Sequence, residues 1–300
     1  MQAVMVRETG GPEVLRLEEV DTPQPADGQV LIRVHAAAVN PIDWKYRRGS
    51  SPKQLPAVLG NDVSGTVEVS RADGFAAGDA VFGFTVSGGY AERAICPAGA
   101  IAKKPAAITH EQAAAIPVAG LTAWQALFDR AGLAAGQSVL ISGAAGGVGH
   151  FAVQFASHAG ARAIGIGSPR NREFVLGLGA EEFVDYTQQD VATAVSGVDV
   201  AFDAVGGEMT ATLLSTVRAG GVLITIASAP PEQEAAARQV RAEMLFASPN
   251  PVQLAEIAEL LADGAVQVEI EEVIPLAEVQ RAHALSEAGH TRGKIVLAVA

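Results

Sequence analysis

Residues 141–156 read ISGAAGGVGHFAVQFA. An apolar approach runs into a burst of Gly and Ala, and apolar residues at helical spacing follow. Gly146 and Gly149 stand where the last two glycines of G-x-G-x-x-G would be, with Ala144 at the first place. Taken alone, the stretch is either a phosphate cradle or a flexible joint. Its surroundings decide. From about Val118 onward, strand-like runs at Ser138–Ser142, Ala161–Ile166, Glu182–Asp185, Val198–Asp203 and Gly221–Ile226 alternate with helical patterns. One such pattern, Val148, Ala152, Phe155 and Ala159, closes at Gly160. This alternation predicts βαβ units and a doubly wound parallel sheet, α/β in class. GAAGGVG then follows the first strand and opens its helix. Gly146 lets the backbone approach a pyrophosphate and Gly149 lets helix and strand pack closely, while Ala144 is tolerated if its φ stays negative. Helix N-terminal N–H groups complete a dinucleotide cradle built from Ala145, Gly146, Gly147, Val148 and Gly149.

The end of the second strand, IGIGSPRNRE, selects the dinucleotide. An NAD site places a carboxylate there for the ribose 2′-hydroxyl; this chain has Ser168, followed by Arg170, Asn171 and Arg172. A hydroxyl and a guanidinium suit a 2′-phosphate, which a carboxylate would repel. NADPH is the expected cofactor, with Arg170, in the first turn of the next helix, the better placed arginine.

The flanks read differently. In ADGQVLIRVHAAAV the turn Asp27-Gly28 leads into alternation, with Val30, Ile32 and Val34 on one face and Leu31, Arg33 and His35 on the other. SGTVEVS and GDAVFGF repeat the pattern, predicting a partly antiparallel, barrel-like domain over 1–117. The tail, QVEIEEVIPL to RGKIVLAVA, returns to strand texture and is expected to rejoin it, leaving 118–264 as the dinucleotide domain and 265–300 with the first. Hydrophobic residues make up 49% of the 300 against 18% charged, which argues against disorder. With 21 basic and 33 acidic residues, net charge −12, and no Lys/Arg run, nucleic acid is not an expected partner. No long apolar run predicts a membrane span. The stretch MQAVMVRETGGPEVL lacks the h-region of a secretory signal. A single cysteine, Cys96, suits a reducing cytoplasm.

Together, NPIDWKYRRG (40–49), LPAVLGNDVSGTV (55–67), GLTAWQALF (120–128), GAAGGVG (143–149), VDVAFDAVGGE (198–208) and RGKIVL (292–297) resemble, in order and spacing, the medium-chain dehydrogenase/reductase superfamily. The likeness is to its zinc-free branch of quinone oxidoreductases, with zeta-crystallin, and enone or alkenal reductases. The resemblance implies a GroES-like catalytic domain split around a Rossmann domain, an active site in the cleft between them, and a homodimer joined through the strand GVLITIAS. It implies that Tyr186 lies by the 2′-phosphate or adenosine, and that Thr122, Val205, Ile226 and the segment around Phe246 line the path to the nicotinamide. Lys45 matches a coenzyme-reaching lysine of the enone reductases; Tyr46 is one place off the tyrosine of other members. Where zinc-using relatives have catalytic ligands this chain has Asn40, Asn61 and Val118, none a good zinc ligand, and one cysteine cannot make a four-cysteine structural site. The six histidines form no HxH or HExxH spacing. Among them His35 shares a strand face with Arg33, and His110 sits in the capping-box pattern THEQ.

Without a Lewis acid, hydride addition to a plain ketone leaves a poorly stabilised alkoxide. An enone or quinone spreads that charge into an enolate or hydroquinone oxygen, for which a few hydrogen-bond donors suffice. The expected activity is therefore NADPH-dependent reduction of quinones or of the C=C of α,β-unsaturated carbonyls. Asn40 and Lys45 are the candidates for orienting the nicotinamide end and polarising the carbonyl, and water or the ribose hydroxyl for the proton. Asp43 is the third candidate, with local hydrogen bonding in the Asn40–Lys45 loop as its structural role. Two alternatives stand: an enoyl-thioester reductase, for which Arg47, Arg48 and Lys53 are the available basic patch, and a non-catalytic NADPH-binding protein.

Overall fold

Strand Gln29–Val39 is the spine of the first unit, entered through Gly28 at φ 79°. Val30, Ile32 and Val34 are fully buried and Arg33 is exposed, as the alternation predicts. Beyond His35 the alternation stops. Ala36, Ala37 and Ala38 are all buried, because alanines on the second face let Ala114, Ala115 and Val296 pack against Ala36 and Ala38. The strand belongs to a seven-stranded sheet ordered 270–275, 294–298, 29–39, 62–70, 80–84, 101–103, with Arg93–Pro97 also paired to Gln29–Val39. Its pairs are antiparallel except 270–275 with 294–298. The C-terminal strands thus rejoin the N-terminal ones, as expected. A three-stranded sheet, 16–19, 2–6 and 57–58, completes the strands of this unit.

The computed structural model describes residues 1–299 and has two compact units, Met1–Leu121 with the segment from Ser248 onward, and Thr122–Ala247. The second boundary falls earlier than the texture of the sequence suggests. Helix Pro251–Ala262, capped by the Asn250 side chain, goes with the first unit, where Ile257 meets the face of Gly120. Periodicity reveals that a helix has an apolar stripe; it does not reveal which core receives it.

The second unit is a six-stranded parallel sheet in the order 182–185, 162–167, 138–141, 198–203, 217–225, 241–244. Counted along the chain this is 3-2-1-4-5-6, the doubly wound order of dinucleotide-binding domains. The strand proposed for dimer contact is not at the edge. Residues 222–225 pair with Val200–Asp203 on one side and with Arg241–Met244 on the other. Its backbone is closed to a second copy, and a free edge belongs to Arg241–Met244. That strand is too short and polar to show alternation, so nothing in the sequence announced it.

Candidate active and cofactor site

In the second unit the glycine turn lies between strand Ser138–Ile141 and helix Gly149–His158. Gly143 takes φ 61° and makes the tight turn, closed by Gly146 N–H donating to Gly143 O at 2.8 Å. The turn role thus falls to Gly143, one place before Ala144. Gln239 is the one non-glycine at positive φ among the described residues, so Ala144 meets its condition; it is buried, its N–H donating to Ile166 O at 3.1 Å. A Cβ on Gly149 would stand 2.1 Å from Gly143 O, so only glycine lets the helix start this close to the turn. A Cβ on Gly146 would meet only Gly143 O, at 3.2 Å. Gly146, Gly147 and Val148 are partly exposed, and Ala145 is buried.

Ser168, Arg170, Tyr186, Val205, Ile226 and Phe246 follow the C-terminal ends of the parallel strands, the place where α/β sheets bind ligands, whereas Thr122 lies in helix Pro117–Trp124 and Lys45 in the first unit. Ser168 precedes a short 3-10 turn, Pro169–Asn171, so Arg170 lies in that turn rather than in the helix, which begins at Arg172. Asn171 is buried and turns back on Ser168 through its N–H, 2.9 Å, and its Nδ2, 3.5 Å. Arg170 is exposed. Arg172 donates to Phe183 O at 3.4 Å with its guanidinium 5.7 Å from the Phe183 ring centroid. Tyr186, Val205 and Phe246 are exposed to 52%, 56% and 75%, large apolar surfaces left uncovered in this unit. Thr122 is buried, and Ile226 is half-buried with its N–H on Asp203 O.

Asp203 holds this edge together and was not foreseen. Its Oδ1 accepts from Ser142 Oγ at 2.8 Å and from the N–H groups of Val205 and Gly206 at 3.0 Å, and its Oδ2 accepts from Thr210 Oγ1. A buried carboxylate with four donors is satisfied without a cation. It ties the end of the first strand to the loop that carries Val205.

In the first unit, Asn40 caps helix Pro41–Arg48 and Asp43 is its third residue. Asp43 Oδ2 accepts from Asn40 N–H and from Tyr90 Oη, each at 2.9 Å. The local hydrogen bonding expected of Asp43 is present, and burial pushes its carboxyl up to about 6 against those donors. The Asn40 side chain turns away from the helix. Its Nδ2 donates to Asp62 Oδ2 at 2.9 Å, and its Oδ1 accepts from Lys294 Nζ. Asp62 also accepts from Val118 N–H at 3.2 Å. Asn40, Asp62 beside Asn61, and Val118 therefore converge at one buried point. Burial raises the Asp62 carboxyl to about 7 against the pull of Lys294, and lowers Lys294 against the pull of Asp62 and Asp43. Lys45 is half-buried, with Nζ 5.8 Å from the Trp44 ring centroid.

Among the described residues no group of three or more His, Cys, Asp or Glu side chains is arranged to hold a metal ion. His110 Nδ1 lies 2.7 Å from Ser64 Oγ, and the Thr109–Gln112 capping box forms as predicted. Asp62, Lys294 and Tyr90 were missed in the sequence. The one available signal was Lys294, a cation opening the otherwise apolar run KIVLAVA.

A parallel sheet in this order, a glycine turn at its first strand and an antiparallel unit built from both ends of the chain define a two-domain, nicotinamide-dependent dehydrogenase or reductase. Comparison with known proteins agrees. The model of an alcohol dehydrogenase GroES-like domain matches residues 26–106, and that of a zinc-binding dehydrogenase matches 178–297. The chloroplast envelope quinone oxidoreductase homolog of Arabidopsis thaliana is 33% identical over 96% of this chain and 95% of its own. The structure of the quinone oxidoreductase from Coxiella burnetii superposes with TM-score 0.95 at 34% identity, covering 100% of this chain and 99% of that one. A mycobacterial protein in complex with NADPH superposes with TM-score 0.90 at 32% identity over the whole of both chains. The chain belongs to the medium-chain dehydrogenase/reductase superfamily, in its quinone oxidoreductase branch, and is an NAD(P)-dependent oxidoreductase.

Proposed function

We propose that the chain uses NADPH to reduce quinones or the C=C of α,β-unsaturated carbonyls, without zinc, as a homodimer in the cytoplasm. The convergence of Asn40, Asp62 and Val118 carries this reading: Asp62 accepts from Val118 N–H and from Asn40 Nδ2, which leaves the second Asn40 N–H as a donor for an oxygen atom, and an amide beside a backbone N–H is no ligand set for zinc. The cradle fits a dinucleotide, since only glycine fits at 149, Gly146 and Gly147 are partly exposed, and exposed Arg170 and Tyr186 share the edge. The mycobacterial neighbour with NADPH supports the choice of cofactor.

When bound, NADPH supplies a hydride. Gly146–Gly149 and the helix N-terminus hold its pyrophosphate, and Arg170 with Ser168 its 2′-phosphate. Lys45 and Asn40 orient the nicotinamide end and donate hydrogen bonds to the acceptor oxygen, where charge gathers. Asp43 keeps Asn40 at the head of its helix. The thioester alternative is weakened: Arg47 is fully buried against Glu287, Arg48 pairs with the same carboxylate, and Lys53 lies over Tyr46. Two of the three cations of that patch are thus already engaged with one carboxylate.

The test is a panel of quinones, enones, a crotonyl thioester and saturated alcohols, run with NADPH and NADH. Turnover with NADPH on quinones or enones, reduced about 10-fold or more in N40A or K45A, is expected. Unchanged turnover in both variants removes these residues from the mechanism. Oxidation of saturated alcohols with no reaction on any enone or quinone overturns the assignment.

A further inference from the structure

Asn40 ends strand Gln29–Val39, and two other strands flank it. Strand Lys294–Ala298 runs antiparallel on one side, Ile295 facing Val39, which sets Lys294 beside Asn40. Strand Asp62–Ser70 runs on the other, Asp62 facing Ala38. One side thus brings an ammonium and the other a carboxylate, both buried, to a single carboxamide. Lys294 Nζ donates to Asn40 Oδ1 and to Val39 O at 3.3 Å; Asp62 Oδ2 accepts from Asn40 Nδ2 at 2.9 Å. Lysine and aspartate form no direct ion pair here, because the amide stands between them.

This arrangement decides which way the amide points. An ammonium can only donate and a carboxylate only accept. With Asp62 ionised and Lys294 protonated, flipping the amide would set NH₂ against NH₃⁺ and C=O against COO⁻, losing two charge-assisted hydrogen bonds at once. In the allowed orientation Oδ1 is spent on Lys294 and one Nδ2 hydrogen on Asp62. The second Nδ2 hydrogen has no partner among the described residues. An amide with one uncommitted N–H, held by two charges, is a preorganised donor.

We propose that Lys294 and Asp62 are positioning residues for Asn40, locking its carboxamide so that one Nδ2–H is aimed at the oxygen of the acceptor. This rests on the role given to Asn40 in the proposed function. The charges themselves touch no reacting atom; they act through the amide. Their opposite signs also let both sit in the core with a charge nearby to offset each, which a lone buried lysine would lack.

A double-mutant cycle tests it: kcat on a quinone or enone for wild type, N40A, K294M and N40A/K294M, with NADPH affinity by fluorescence titration. K294M is expected to lower kcat about 10-fold or more with NADPH affinity within about twofold. Adding K294M to N40A should lower kcat no more than about twofold further, because Lys294 has nothing left to hold. Effects that multiply, or a K294M enzyme at wild-type kcat, overturn the inference. Should K294M fold poorly with Asp62 left alone, D62N/K294M removes both charges and is read the same way. An arm independent of turnover follows the Asn40 side-chain amide by ¹⁵N NMR, assigned by its loss in N40A. Two sharp, slowly exchanging proton signals are expected in wild type, and broadened or fast-exchanging ones in K294M. A wild type that reduces no acceptor sinks the proposed function, whereas an amide pair unaltered in K294M sinks this inference.

Discussion

Arg170 and Arg172 stand two positions apart and have different surroundings. Both are exposed; Arg172 lies over the Phe183 ring and donates to its carbonyl, while Arg170 sits on the 3-10 turn after the second parallel strand. R170A is expected to weaken NADPH binding about 10- to 100-fold, the worth of one charge-assisted hydrogen bond, and to leave NADH within about twofold. Calorimetric titration with both coenzymes checks this; equal losses for the two would remove Arg170 from 2′-phosphate recognition. Both arginines were legible as a pair, since a missing carboxylate and added cations are chemical facts of the chain. The contact of Arg172 with Phe183 was not, because Phe183 is eleven positions away and reaches it through sheet pairing. Asn40 shows the same limit. Its type and place were readable, yet its partners Asp62 and Lys294 lie 22 and 254 positions away.

At the level of the element, the glycine turn separates packing from binding. Gly149 is needed by the fold, since a Cβ there would overlap Gly143 O; G149A is expected to lose about 1–3 kcal/mol in urea unfolding as well as NADPH binding. A Cβ on Gly146 would press on Gly143 O at 3.2 Å, a milder conflict than at 149, so G146A should lose less stability than G149A and still bind NADPH at least about 10-fold more weakly. Wild-type affinity in G146A would take the turn out of cofactor binding. Strands 182–185 and 198–203 stand at the predicted residues, because buried parallel strands are short apolar runs between turn signals. Edge strand Arg241–Met244 had no such run, its sequence being RAEM. If two copies associate through it, light scattering on the purified chain will give twice 30.7 kDa.

For the molecule as a whole, pH reports how polar groups share the core. His283 is fully buried, neither ring nitrogen has a hydrogen-bond partner, Tyr90 meets it edge-on at 5.7 Å, and burial with the Arg47 charge lowers it to about 3. The folded chain keeps this imidazole neutral while the unfolded chain protonates it near 6.5. Between those values the unfolded state binds more protons, so stability is whole above about pH 6.5 and is lost as pH falls toward 3. From pH 7 to 5 this one group costs about 2 kcal/mol. Asp43 and Asp62, raised in the fold, act in the opposite sense over much of that range and are common to wild type and variant. H283Q should therefore lose about 2 kcal/mol less than wild type between pH 7 and 5 in urea titrations; an equal loss would show that His283 is solvated.

Local pattern was enough for the class of the fold, the glycine turn after its first parallel strand, and the return of the C-terminal strands to the first domain. Each of these follows from residues within a strand, a turn or a helix start, where neighbours in the chain are neighbours in space. The tertiary structure alone decided which core takes helix Pro251–Ala262, which strand forms a free edge, and that Asn40 stands between Lys294 and Asp62. Those outcomes depend on hydrogen bonds and packing between segments far apart in the chain, and a carboxylate or an ammonium carries no mark of its partner until the sheet has set the register that brings them together.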